Sequence, residues 1–123
     1  MTRWLLVRGR GEAPLPATGW TLERHASTRR PSVQSGDAAV CYASVWQAVF
    51  AVVAVVSDPE HDPERDRWSW SFALRPLVAV CDLHEAPPCE EVGIFPSSIW
   101  RHSYIRLSDE QFEAARAAIE AAA

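Results

Sequence analysis

The sequence predicts an α+β domain that is mainly β and closes with a helix. Three observations predict it. Trp68, Trp70, Phe72 and Leu74 alternate with Ser69, Ser71, Ala73 and Arg75, the two-residue period of a strand with one covered face. The run 38–56 carries no charged residue, and its second half is dense in valine, as in strands buried on both faces. Ser108 and Gln111 have the spacing of a capping box, just ahead of Phe112, Ala115 and Ile119 at helical period.

The elements follow in order. Thr2 to Arg8 reads as a first strand, and Gly9 to Gly19 as a loop rich in Gly and Pro. Thr21 is placed to cap a short helix running to Arg30, which Pro31 ends. Ser35, Gly36 and Asp37 form a turn. Strands are expected at Ala38 to Tyr42 and Gln47 to Val56, joined by a tight turn near Ser44 to Trp46. In the second, Phe50 and Val52 should share one face, and Val49 and Val53 the other. This run is long enough to span a bilayer. Tyr42, Ser44 and Gln47 interrupt it, however, and Asp37 and Asp58 flank it instead of basic residues, so two buried strands are the better reading.

Ser57 to Asp66 reads as a polar loop. Pro76 interrupts the next strand, which must therefore lie at an edge or carry a bulge there before Leu77 to Val80 resumes. Glu85 to Pro96 reads as a second loop, and His102 to Leu107 as a last strand. Leu107 and Phe112 occupy the positions of a hydrophobic staple around Ser108.

The 123 residues suit one domain spanning 1–123, and 48% hydrophobic residues suffice for a core. The net charge of -4 argues against coating nucleic acid by charge alone, although a local basic patch stays open. All 12 basic residues are arginine, which removes mechanisms that need a Schiff-base or phosphate-loop lysine. Three cysteines favour a reducing, cytoplasmic setting over a disulfide framework. The apolar run Trp4 to Val7 is too short for a signal peptide.

Few constellations suggest chemistry. Cys81, His84 and Cys89 lie close together, with Cys41 as a fourth candidate ligand. Their spacing matches no paired zinc knuckle, and Cys41 and Cys81 sit in apolar strand patterns, so no metal is expected. There is no Gly-x-Ser-x-Gly elbow, and His25, His61, His84 and His102 lie in separate segments. A triad assembled in space stays open. No cofactor fingerprint is present. Arg8-Gly9-Arg10-Gly11 is either an ordinary surface turn or a clamp on a phosphate backbone. Six tryptophans are many for a chain this size. Trp4, Trp46 and Trp70 are expected in the core. Trp20, Trp68 and Trp100 are left near loop or strand ends, where they either plug the barrel or stack a planar ligand.

The order of segments carries a resemblance. The segments are Trp4-Leu5-Leu6-Val7, Gly36-Asp37 before a strand ending Tyr42-Ala43-Ser44, Val55-Val56-Ser57-Asp58-Pro59, the Trp68 strand, and the closing run from Arg101 to Phe112. Together they resemble the EVE domain of the PUA-like superfamily, related to YTH domains. The resemblance spans almost the whole chain and rests on order and spacing more than on any single motif. It implies a small, strongly bent PUA-like β-barrel flanked by short helices and a C-terminal helix. It also implies a non-enzymatic module that recognises a modified base in DNA or RNA, one nucleotide being flipped into an aromatic pocket.

By position, the resemblance assigns Trp20, Tyr42, Ser44, Trp68, Arg101 and Ser103 to ligand binding, with Arg8 and Arg24 on phosphate. The chain departs from the family where many members carry a Gly-Val-Arg-Asn-like segment. Here Gly19-Trp20-Thr21-Leu22-Glu23-Arg24 stands instead, with Arg24 as a partial substitute and no Asn following. Two other readings stay open. One is a small hydrolase or nuclease like the ASCH domains of the same superfamily. The other is a protein-interaction module using exposed tryptophans.

Overall fold

In the computed structural model, residues 1–8, 22–99 and 102–123 are described. Seven strands form one sheet: β1 Arg3–Arg8, β2 Arg24–Ser27, β3 Ala38–Ala43, β4 Ala48–Val55, β5 Glu60–His61, β6 Trp70–Ala79 and β7 Tyr104–Leu107. A single turn of helix, α1, spans Pro96–Ile99, and α2 spans Asp109–Ala122. The strand order is β2-β6-β4-β3-β1-β7, with β5 pairing beside β6. The sheet curls into a half-barrel with α2 packed against it, a mainly β fold.

The uncharged run 38–56 is the centre of this sheet. β3 and β4 pair antiparallel through the turn at 44–47, and almost every side chain on them is buried. β3 is also parallel to β1, so both of its edges and both of its faces are covered. The register of β3 and β4 sets Tyr42 opposite Val49 and Cys41 opposite Ala51, leaving Phe50 as an extra residue. This bulge breaks the simple alternation expected for Phe50 and Val52 and bends the strand. No helix among the described residues is long and apolar enough to cross a membrane.

β6 holds the curl. Its first half pairs with β2 and β5, and its second half pairs with β4. Pro76 lies opposite Val53 and Val78 opposite Val52, so Leu77 is an unmatched residue and is 57% exposed. The bulge expected at Pro76 is therefore present, because proline lacks the N–H that a regular ladder would use.

Asp37 fixes the start of β1 against the start of β3. Its carboxylate accepts hydrogen bonds from Trp4 Nε1 at 2.9 Å, Gln34 N at 3.0 Å and Thr2 N at 3.1 Å. Burial alone would push its pKa up. The three donors and the N-terminal charge outweigh that, and the carboxyl titrates below its ordinary range. Gly36 precedes it at φ +94°, a conformation an L side chain rarely adopts, which explains the Gly-Asp pair.

α2 forms as the sequence predicts. Ser108 Oγ accepts from Gln111 N, and Gln111 Oε1 accepts from Ser108 N, completing the capping box. Phe112, Ala115 and Ile119 bury its apolar stripe, and Leu107 is buried as well.

Four expectations need correction. The helix from Thr21 to Arg30 is replaced, within the described residues, by strand β2. His25 and Ser27 turn into the barrel while Arg24 faces solvent, and barrel closure outweighs local helix preference. Cys81 is exposed, because the chain leaves β6 at Val80. Trp46 and Trp70 are only half-buried, the first in the 44–47 turn and the second at the open end of β6. The two loops also hold more structure than expected. Glu60–His61 pairs with β6, and one-turn 3-10 segments at Leu83–Glu85 and Cys89–Val92 seat Leu83, Cys89 and Val92 in the core.

Candidate functional site at the barrel seam

β2, at one end of the strand order, meets the segment leading into β7, at the other end, along a seam. His25 Nε2 lies 2.9 Å from Ser103 O, which also accepts from Val7 N at 2.9 Å. Arg8 Nη1 donates to Arg24 O at 2.7 Å and lies 3.5 Å from His25 Nδ1. Ser44 N donates to Arg8 O at 3.0 Å. The ends of β1 and β3 and the start of β2 thus converge with the segment leading into β7.

Four residues expected at the site are brought together here: Arg8, Arg24, Ser44 and Ser103. Arg8 is half-buried beneath the seam, not splayed as an arm of its loop. Burial lowers its pKa, and the nearby Cys41 thiol offsets that in part. A guanidinium stays cationic throughout the accessible pH range. Arg24 faces outward, hydrogen-bonded to Ser71 Oγ at 2.9 Å and within 3.5 Å of Glu60 Oε1.

Tyr42 is not part of this group. It lies opposite Val7, while Arg8 lies opposite Ala43, so Tyr42 and Arg8 leave the sheet on opposite faces. Its hydroxyl donates to the Cys89 thiol and is buried under the 83–94 segment. Burial and the neighbouring Cys89 push the Tyr42 pKa up to about 12. The expectation that Tyr42 faces the pocket is corrected by that geometry. Trp68 lies in the bend before β6, two residues ahead of Trp70, which pairs with Ser27 of β2. It is half-buried, and its φ of 57° is unusual for so bulky a residue. Trp20, Trp100 and Arg101 lie outside the described residues.

Along the seam lies a cleft of about 480 Å³ lined by Ser27, Thr28, Arg29, His102, Ser103 and Tyr104. Among the described residues, hydroxyls, a guanidinium and an imidazole line it, and no carboxylate does. Just beyond, Arg30 lies over the Trp70 ring at 5.6 Å, and His61 packs on Trp70 at 4.7 Å. Such a lining donates hydrogen bonds to acceptors and to anionic oxygens. Beneath it, burial pushes the Cys41 thiol up to about 12 against the pull of Arg8, so it is no thiolate nucleophile at neutral pH.

Sequence reasoning missed His25, because a histidine on a supposed helix carries no signal. As a strand, Arg24–Ser27 alternates out and in, which would have pointed His25 inward. Among the described residues no group of three or more His, Cys, Asp or Glu side chains could hold a metal.

No family model and no curated protein matches the sequence. Solved structures do match over nearly the full length. Protein Atu2648 from Agrobacterium tumefaciens is 20% identical, with 96% of this chain and 93% of that chain covered, at a TM-score of 0.63. Rpa0253 from Rhodopseudomonas palustris is 12% identical, with 98% and 94% covered, at 0.68. Human THYN1, in complex with 5-methylcytosine containing DNA, is 12% identical, with 98% of both chains covered, at 0.65. The chain shares the fold of these structures. In this fold the seam cleft sits on the opposite side of the sheet from α2. Trp4 and Leu6 share a face with Arg8, and Arg3 on the other face packs on Phe112.

Proposed function

We propose that the chain is a non-enzymatic binding module for a modified base of DNA or RNA. The base leaves its strand and enters the seam end of the barrel. The observation that carries this reading is the seam cleft, lined among the described residues by hydroxyls, Arg29 and His102, in a fold shared with a protein solved on 5-methylcytosine containing DNA. Ser44, Ser103 and the cleft hydroxyls supply hydrogen bonds to the base edge. Trp68, with Trp20, supplies a stacking surface. Arg8 orders the seam from beneath, and Arg24 and Arg29, with Arg101, meet phosphate. Tyr42 acts indirectly, holding the end of β3 through Cys89.

The energetics fit a local pocket on an acidic chain. Stacking contributes about 1–3 kcal/mol per base, so specific binding needs no broad basic face. The test is a tryptophan-fluorescence titration with short single-stranded DNA and RNA carrying 5-methylcytosine, 5-hydroxymethylcytosine or N6-methyladenine, each against its unmodified twin. Saturable quenching that prefers one modification, and weakens in Trp68→Ala, supports the reading. Equal or absent response to every oligonucleotide refutes it.

A further inference from the structure

The other side of the sheet holds a second, chemically different concavity. It lies between α2 and the second half of β6, with a volume of about 570 Å³. Val52 and Ala54 form its floor, and Phe112 of α2 and Leu77 of the β6 bulge form its walls. The bulge creates it, because Leu77 is set out of register and stands 57% exposed beside Arg75.

Its charges are uneven. Arg116 is engaged by Glu113 and Glu120 through its own helix. Asp37 turns its carboxylate to Trp4, Thr2 and Gln34. Arg75 makes no hydrogen bond or ion pair with any described residue and is exposed. Arg3, stacked 4.6 Å over the Phe112 ring, donates through Nη1 to Met1 Sδ at 3.3 Å, and its Nε reaches Asp109 only at 3.7 Å. Neither Arg75 nor Arg3 donates to a carboxylate of a described residue at hydrogen-bond distance, so both keep guanidinium charge for an incoming one.

We propose that this groove is a binding site for a small carboxylate carried on an apolar body. The apolar body lies on Val52, Ala54, Leu77 and Phe112, and the carboxylate is held between Arg75 and Arg3. The volume falls in the range of about 300–1,000 Å³ of small-ligand sites. A stable protein interface needs about 800 Å² from each partner, whereas among the described residues the exposed large apolar ones bordering this groove are only Met1, Val56 and Leu77. The site lies across the sheet from the seam, so it is independent of the nucleic-acid reading.

The test is an NMR titration of the full chain with three probes. Octanoate has both features, 1-octanol only the apolar body, and acetate only the charge. Octanoate should bind saturably, with shifts centred on Val52, Ala54, Leu77 and the Arg75 and Arg3 side chains. Arg75→Gln, an exposed change that leaves the core intact, should weaken octanoate about tenfold and leave 1-octanol unchanged. Leu77→Ser, also at an exposed site, should weaken both. Failure of octanoate to bind, equal binding of 1-octanol, shifts centred on the seam, or an unaffected Arg75→Gln variant would each overturn the proposal.

Discussion

His25 Nε2 stands 2.9 Å from the carbonyl oxygen of Ser103, a hydrogen bond joining β2, at one end of the sheet order, to the segment that leads into β7 at the other end. A carbonyl only accepts, so Nε2 carries the hydrogen and Nδ1 faces Arg8 as an acceptor. Replacing His25 with phenylalanine keeps the packing against Phe72 but removes the bridge. His25→Phe should lose about 1–2 kcal/mol of stability, read by urea denaturation, and should speed hydrogen exchange in β2 and β7 more than in β3 and β4.

Asp37 should dominate the acid limb of stability. Its folded pKa lies below the ordinary value of 3.8, so the unfolded state binds the proton more readily. Its contribution is complete above about pH 5 and fades as pH falls through 3.8 toward the folded value. Asp37→Asn should flatten the loss of stability between pH 5 and 3. Asp37→Ala, which strands the Trp4 indole N–H, should cost roughly 2–4 kcal/mol at pH 7. Denaturation midpoints across pH check both.

The capping box offers a cleaner local test, since Ser108 is exposed and only its cap bonds are lost. Ser108→Ala should destabilise by about 1 kcal/mol, with fraying of α2 seen in amide exchange at Gln111 and Phe112. Gln111→Leu removes the reciprocal bond to Ser108 N and the bond from Gln111 Nε2 to Gly93 O, and should cost a similar amount.

Thiol reactivity should sort the cysteines by burial. Cys81 is exposed, while Cys41 and Cys89 are buried and their pKa values are raised, that of Cys41 to about 12. A colourimetric thiol reagent at pH 8 should titrate one cysteine rapidly in the folded chain and all three in denaturant. Rapid reaction of two would contradict the packing of the 83–94 segment over Tyr42.

If nucleic acid binds at the seam, the outward arginines should carry the salt dependence. Arg24→Ala and Arg29→Ala should each lower the slope of log affinity against log salt by about 1 and weaken modified and unmodified strands alike. Ser103→Ala leaves the seam intact, because the seam uses its backbone carbonyl, but should weaken base binding by removing the hydroxyl; unchanged affinity would take Ser103 off the base edge.

The sequence by itself determined whatever depends on neighbours along the chain. The capping box at Ser108, the turn at Gly36-Asp37, the covered strands in 38–56 and the interruption at Pro76 are local chemistry, and each reappears in the structure. The candidate site was legible only in part. Arg8, Arg24, Ser44 and Ser103 were named from segment order, and they converge.

What the sequence could not decide was facing and partnership across the sheet. Tyr42 and Arg8 look alike as polar ends of apolar strands, yet the parallel register sends them to opposite faces. Arg24–Ser27 carries a helix-like local pattern, but His25 can close the barrel only from a strand. The Phe50 bulge shifts one register, and a shift of one residue reverses every face beyond it. Period-two alternation tells which residues share a face but not which face lies inside. That choice is made by contacts between segments far apart in sequence, such as Arg3 with Leu107 and His25 with Ser103, and only the closed sheet supplies it.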